Sequence, residues 1–306
     1  MTVLQLIQLY FYISEIYEEE LKWHCQRITK NDAEPLFSDQ ELLTTYLFAT
    51  AFEKRLRIKD VHSYINRHWQ SWFPNLPSYT AYVTRINRLS SVFPVLVERL
   101  VHKEQADGVS LGELIALTDS MPIITCSGKR KGKVAPELCD KGYNSTKGMH
   151  YFGLKLHGIG FYRPDTLLKI EVIQIGPASQ HDLEAQRQIL NNTKGVALFG
   201  DKAFCDKDLK AFFAANDGEL LTPVKHKKGQ PLADRQRHKA GDDLYSAAVS
   251  KIRQPIESLF NWLIEHTDIQ RASKVRSTKG LIVHVFGRIA AALIPKFINR
   301  AISVSS

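Results

Sequence analysis

The chain has 306 residues, 44% of them hydrophobic and 24% charged, enough for two domains or one large one with a sizeable core. Its net charge of +9 is unusual and points to a polyanionic partner, nucleic acid or a membrane surface. Four cysteines, Cys25, Cys126, Cys139 and Cys205, form no C-x-x-C pair and no Cys/His cluster of zinc spacing, which disfavours a zinc module and fits free thiols in a reducing cytosol.

The charge is unevenly placed. Residues 1–115 hold 12 Lys and Arg against 14 Asp and Glu, a net of −2, so the remainder carries +11, and an electrostatic footprint on nucleic acid would lie mainly there. The segment Met1–Tyr12 is apolar but lacks the basic start and the small-residue cleavage site of a signal peptide. Residues 1–105 read as helical. Ser38-Asp39-Gln40-Glu41 is a capping box, followed by Leu42, Leu43, Tyr46, Leu47 and Phe52 at helical spacing. A second helix is expected from Lys59 to Trp72, a break at Phe73-Pro74-Asn75-Leu76-Pro77, and a third helix capped by Ser78 and carrying Arg85 and Arg88. Helix, break and helix with aromatics and arginines is compatible with a helix-turn-helix DNA reader, and equally with a plain helical bundle.

From about residue 112 the pattern changes to strands. Leu114–Asp119 is a short apolar run ending in an acid, and His150–His157 and Leu167–Ile175 form a hairpin with a longer connection. Ser179 followed by Asp182 reads as the cap of a helix through Leu190. Val196–Gly200 is a buried strand ending at Asp201, then a helix covers Asp206–Ala215 and a strand Glu219–Val224. A basic loop is expected from Lys225 to Asp243, and a helix from Tyr245 to His266 with Pro255 inside it. The apolar tail Leu281–Val304 is interrupted by Arg288, Lys296 and Arg300 and bent by Pro295, so a buried or amphipathic helix is expected rather than a membrane span. This alternation argues for a mixed α/β domain around a central sheet.

Three acids stand out. Asp119 and Asp201 each end a strand, where ligands collect in open α/β sheets, although a strand-end Asp is also a common turn or cap residue. Glu257 lies one helical turn after Arg253 beside the packed face Ile256, Leu259, Phe260 and Leu263, and a plain ion pair would explain it equally well. If the three carboxylates converge, they repel unless a cation sits among them, and hard oxygen donors suit Mg²⁺ or Mn²⁺. Two such ions about 3.5–4 Å apart serve in-line phosphoryl displacement.

Around these acids the chain resembles the RNase H-like catalytic domain of bacterial insertion-sequence DDE transposases. The resemblance rests on LTDSMPI around Asp119, KGYNSTKGMHYFGLKLH from Lys141 to His157, FGDKAF around Asp201 and RQPIESLFNWL around Glu257, and spans roughly 112–295. It implies an RNase H-like mixed sheet flanked by helices, preceded by an all-α domain. The domains are then 1–110, a helical part that binds DNA ends, and 111–300, the catalytic part, with basic loops at 127–148 and 225–243. It implies that Asp119, Asp201 and Glu257 are the catalytic and metal-holding triad, spaced 82 and 56 residues apart, with two Mg²⁺ that Mn²⁺ can replace. Arg253 matches the Arg of the family's Y-x2-R-x3-E-x6-K signature, while Ser250 and Ile264 stand where its Tyr and Lys would be. Contacts made by that Tyr and Lys therefore do not carry over.

The resemblance also implies a chemistry. Water, activated by the bound ions, cuts a phosphodiester at the element's end, and the freed 3′-hydroxyl attacks target DNA without a covalent protein–DNA intermediate. The partners are double-stranded DNA, at element ends and target, and a second copy of the chain or more; no membrane is involved, and the setting is the bacterial cytoplasm and nucleoid. Candidate DNA contacts are Lys129, Arg130, Lys131 and Lys133, then Tyr143 and Lys147, then Lys225, Lys227 and Lys228, with Lys202 beside Asp201 and Arg85 and Arg88 in the helical part. The alternatives are an RNase H-like nuclease or resolvase that cuts without joining, and an inactive DNA-binding relic of a mobile element.

Overall fold

The computed structural model describes residues 2–25, 35–105, 114–129, 132–144, 147–163, 167–190, 195–225 and 232–303. The chain divides into two compact units. One joins residues 1–100 to 263–306, and the other is 101–262.

The first unit is helical: α1 (Thr2–Glu19), α2 (Asp39–Ala51), α3 (Ile58–His68), α4 (Tyr79–Arg88), α5 (Val92–Gln105) and, from the C-terminal part, the helices that begin at Thr278 and Arg288. Helix α2 starts where its sequence dictates. The Ser38 hydroxyl accepts from the Glu41 amide at 3.1 Å, and the Glu41 carboxylate accepts from the Ser38 amide at 2.6 Å. Nearly all of α2 from Leu42 to Ala51 is buried, so it forms the unit's centre. Asp39, 2% exposed, accepts from Arg85 at 2.9 Å and from the Tyr17 hydroxyl at 3.3 Å. The C-terminal segment packs on α2. A Cβ at Gly287 would lie 2.9 Å from Tyr46, so only glycine permits that approach. Buried Arg288 donates to three carbonyls, those of Thr267 (2.6 Å), Asp268 (2.7 Å) and Leu56 (2.8 Å). The stretch Thr278–Ile298 is long and apolar enough to cross a membrane, but 72% of its most apolar window is buried within the protein.

The break between α3 and α4 falls at Phe73–Pro77, and Ser78 caps α4 through the Ala81 amide at 3.4 Å, as its sequence predicts. α3 is shorter than the Lys59–Trp72 expected, ending at His68. The C-terminal segment, which the family resemblance joins to the α/β part, clusters in space with the helices, its last helix packing on α2.

The second unit is built on a six-stranded mixed sheet: β1 (Ile115–Ser127), β2 (Asp140–Asn144), β3 (Met149–Phe161), β4 (Lys169–Pro177), β5 (Ala197–Phe199) and β6 (Glu219–Leu221). β1 runs antiparallel to β3, and β3 carries β2 and then β4 along its other edge. On the opposite side β1, β5 and β6 are parallel. Helices α6 (Asp182–Leu190) and α7 (Lys207–Ala215) complete this half with α8 (Leu232–Thr267). The architecture is an RNase H-like α/β fold preceded by an all-helical region.

Strand alternation sorts the side chains into two faces. Ala116, Ile159, Leu198, Phe204, Leu209, Phe213 and Leu220 form one closed apolar core, to which α6 contributes Leu190 and α7 contributes Leu209 and Phe213. Leu117, Asp119 and Phe199 belong to the opposite face. Helix α8 packs there: a Cβ on Gly158, the residue paired with Asp119, would meet Phe260 at 3.2 Å and Ile256 at 4.0 Å.

Several elements depart from the sequence reading. β1 continues eight residues past Asp119, through Pro122. β5 pairs with β1 only as far as Leu117, so Pro122 lies where β1 has one laddered neighbour and a missing N–H is tolerated. The basic loop expected at 127–148 contains strand β2, which has no apolar alternation of its own and is recruited by β3. The loop expected at 225–243 is helical from Leu232, where α8 begins, and on that helix Lys239 and Asp243 pair one turn apart at 2.7 Å. Ser179 does not cap α6. It donates its amide at 2.8 Å, and its hydroxyl, to the Asp140 carboxylate brought beside it by the sheet.

Candidate active site

Asp119 and Asp201 are brought level by strand register. Leu117 lies opposite Phe199 in the parallel ladder, an offset of 82 residues. Asp201 follows Asp119 by the same 82, so each acid stands two residues beyond the last laddered pair. The Asp119 carboxylate accepts from its neighbouring Ser120 amide at 2.8 Å. Asp201 caps the single helical turn Lys202–Phe204, accepting from the Ala203 amide at 2.8 Å. The cap role that the sequence left open is thus real, and it uses one of the two carboxylate oxygens.

Helix α8 brings the third acid. One Arg253 nitrogen, Nη2, donates to Asp119 Oδ2 at 2.7 Å and to Glu257 Oε1 at 3.2 Å. The Arg253 side chain is only 10% exposed, whereas Glu257 is 54% exposed. Gly158 makes this possible by removing the side chain that would hold α8 away from Asp119. Burial pushes the Asp119 carboxyl up to about 6, the Arg253 guanidinium opposes the rise, and the Asp201 charge adds to it. Arg253 Nε is buried and makes no hydrogen bond.

Beside these groups lies a cleft of about 430 Å³ lined by Asp201, Lys202, Pro223, Ser246, Ala247, Ser250 and Arg253. Ser246, Ser250, Arg253 and Glu257 recur at helical spacing, so they form one polar stripe of α8 facing the acids. Ser246 escaped the sequence reading, and Ser250 entered it only as the residue standing where the family's Tyr would be. The spacing back from Arg253 is the signal that would have found them.

The other predicted contacts are distributed as follows. Lys129, Lys133, Lys147, Lys202 and Lys225 are exposed. Tyr143 sits on β2, 55% exposed, with its ring 4.9 Å from that of His150. Lys225 borders a separate cleft of about 270 Å³ with Lys210 and Tyr245. Arg88 is exposed near the end of α4, while Arg85 is turned onto Asp39 and over the Phe37 ring at 5.7 Å. Arg130, Lys131, Lys227 and Lys228 lie outside the described residues.

Asp182, read in the sequence as part of a helix cap, serves the opposite sheet face. It accepts from the Ser120 hydroxyl at 2.9 Å and from Lys155 at 3.1 Å, with His157 Nδ1 at 3.7 Å. Burial pushes that imidazole down to about 4, so it is neutral at pH 7.

Among the described residues no group of three His, Cys, Asp or Glu side chains has a geometry that could hold a metal ion as it stands. The donor chemistry nevertheless suits hard divalent cations: carboxylates from β1, the β5 end and α8, with a guanidinium already drawn between two of them.

The RNase H-like sheet thus carries Asp119 within its first strand and Asp201 just past its fifth, with Glu257 of α8 joined to Asp119 through Arg253. Residues 110–294 match the transposase DDE domain family, and the chain belongs to that family. Searches of the curated proteins and of the solved structures give no match. Members of the family generally use divalent metal ions and act on DNA.

Proposed function

We propose that the protein is the transposase of a bacterial insertion sequence, acting in the cytoplasm and nucleoid. It binds the element's ends, cuts them, and joins them to target DNA. The observation that carries this reading is the convergence of Asp119 and Glu257 on one Arg253 nitrogen, with Asp201 level with Asp119, inside a chain of this family.

Asp119, Asp201 and Glu257 would hold two Mg²⁺, or Mn²⁺ in their place. When bound, such ions make water nucleophilic near neutral pH and neutralise the charge on the leaving oxygen. The chain's own groups do the positioning. The strand backbone fixes Asp119, the one-turn cap fixes Asp201, and Phe260 and Ile256 fix the height of α8 and so of Glu257. Lys202, at the lip of the cleft, faces the phosphate to be cut. Lys129, Lys133, Lys147, Lys225 and Tyr143 hold flanking phosphates with little sequence choice, and the helical unit reads the end, with Arg88 as its free cationic contact. Two ends must be held together, so the working form is a dimer or larger.

The test is a strand-transfer assay with Mg²⁺ on uncut and pre-cut ends. The parent protein cuts and joins. Asp201→Asn and Glu257→Gln lose both steps by at least about 10²–10³-fold, the effect of deleting one preorganised electrostatic group, while duplex binding persists. Cutting without joining would make the protein a nuclease instead. Unchanged cutting by Asp201→Asn would remove the triad assignment.

A further inference from the structure

Arg253 is placed to do more than contact DNA. Its Nη2 bridges Asp119 and Glu257, two of the three acids that the proposed function makes metal ligands. The guanidinium cannot shed its charge, so its position decides whether another cation is admitted. Among the described residues no His, Cys, Asp or Glu group forms a metal-holding cluster, and Arg253 occupies the position between two of the acids. The bridge is also imperfect: Nε is buried with no hydrogen-bond partner, a deficit that a phosphate, which binds guanidinium bidentately, would relieve. The room for that exchange adjoins the bridge, in the cleft shared by Arg253, Lys202, Ser246 and Ser250.

We propose that Arg253 is a displaceable counter-ion that closes the site to divalent cations until a DNA phosphate draws it away. Metal loading and DNA binding then assist each other by the same factor, and ions are kept out of a site without substrate. The inference rests on the three acids being the metal ligands.

The measurement is Mn²⁺ binding to the full chain, followed by electron paramagnetic resonance of the free ion, with and without a short duplex. Without DNA, Arg253→Gln binds Mn²⁺ at least about tenfold more tightly than the parent, and Asp119→Asn added to it abolishes that binding. The duplex tightens Mn²⁺ binding to the parent more than to Arg253→Gln. Lys202→Gln removes a nearby positive charge without touching the acids, and leaves DNA-free affinity near that of the parent. Equal Mn²⁺ affinity of parent and Arg253→Gln, or an equal gain in Lys202→Gln, overturns the gate while leaving the ligand set intact. Mn²⁺ binding indifferent to Asp119→Asn overturns the ligand set itself. Far-ultraviolet dichroism of each variant establishes that the fold is kept.

Discussion

Each unit contains an aspartate held by an arginine at nearly the same distance, 2.9 Å for Asp39–Arg85 in the helices and 2.7 Å for Asp119–Arg253 on the sheet. The first pair is closed. Asp39 begins α2, where the helix dipole favours an anion, and Tyr17 donates to it as well. Around Arg253 two acids share one guanidinium nitrogen, burial lifts Asp119 to about 6 with the Asp201 charge adding to the rise, and the guanidinium Nε goes without a partner. The contrast teaches that a buried ion pair does not mark a site. Surplus charge of one sign around the pair does, because it can be relieved only by something from outside.

The largest test of that contrast is in the helices. Asp39→Asn or Arg85→Met strands a buried charge or donor, and should lower unfolding free energy by about 3 kcal/mol. Urea unfolding of each variant measures it. A loss well under 1 kcal/mol would mean that the Asp39 pair is as poorly matched as the Asp119 pair, and the distinction would fall.

Asp119→Asn should do the reverse. A carboxyl raised from 3.8 to about 6 binds its proton more tightly when folded. Its stabilising contribution is therefore complete below about 3.8 and lost as pH rises through about 6. In EDTA, Asp119→Asn should gain stability over the parent between pH 4.5 and 7.5, on the order of 1 kcal/mol after allowance for partial exposure. His157, lowered to about 4, works in the opposite sense in both proteins and cancels from the difference. A gap that narrows with rising pH would show that Arg253 satisfies Asp119 fully. Stability gained where activity is lost is the usual mark of a functional strain.

What was legible in the sequence was what local chemistry decides. The Ser38–Glu41 box and the Ser78 cap are visible because donor and acceptor lie three residues apart. The apolar run before Asp201 marks a strand end directly, whereas the one before Asp119 does not, since β1 runs on to Ser127, and the three acids were named through the family resemblance. That 82 is also the β1–β5 register could not be read, since it depends on those strands being parallel neighbours. β2 stayed hidden because Asp-Lys-Gly-Tyr-Asn has no period of its own. Ser179 was misread because Asp140, 39 residues away, competes for it. The early start of α8 was masked by charge, which on a solvent-facing helix is stabilised by pairs such as Lys239–Asp243. Nothing local separates Arg85 from Arg253. Only the fold reveals how many acids each one meets.

The smallest test separates cap from site in one residue. Ser38 and Asp201 both accept from a backbone amide at the start of a helical turn, at 3.1 Å and 2.8 Å. Asparagine caps about as well as aspartate, whereas alanine does not cap. Ser38→Ala should cost about 1 kcal/mol and leave strand transfer unchanged. Asp201→Asn should stay within about 0.5 kcal/mol of the parent, because its cap survives, while the chemistry is lost. Asp201→Ala adds the cap loss of about 1 kcal/mol to the same loss of activity. Urea unfolding beside the strand-transfer assay reads both quantities. If Asp201→Asn fell in stability as far as Asp201→Ala, the charge of Asp201 would itself be holding the fold, and its loss of activity would say nothing about catalysis.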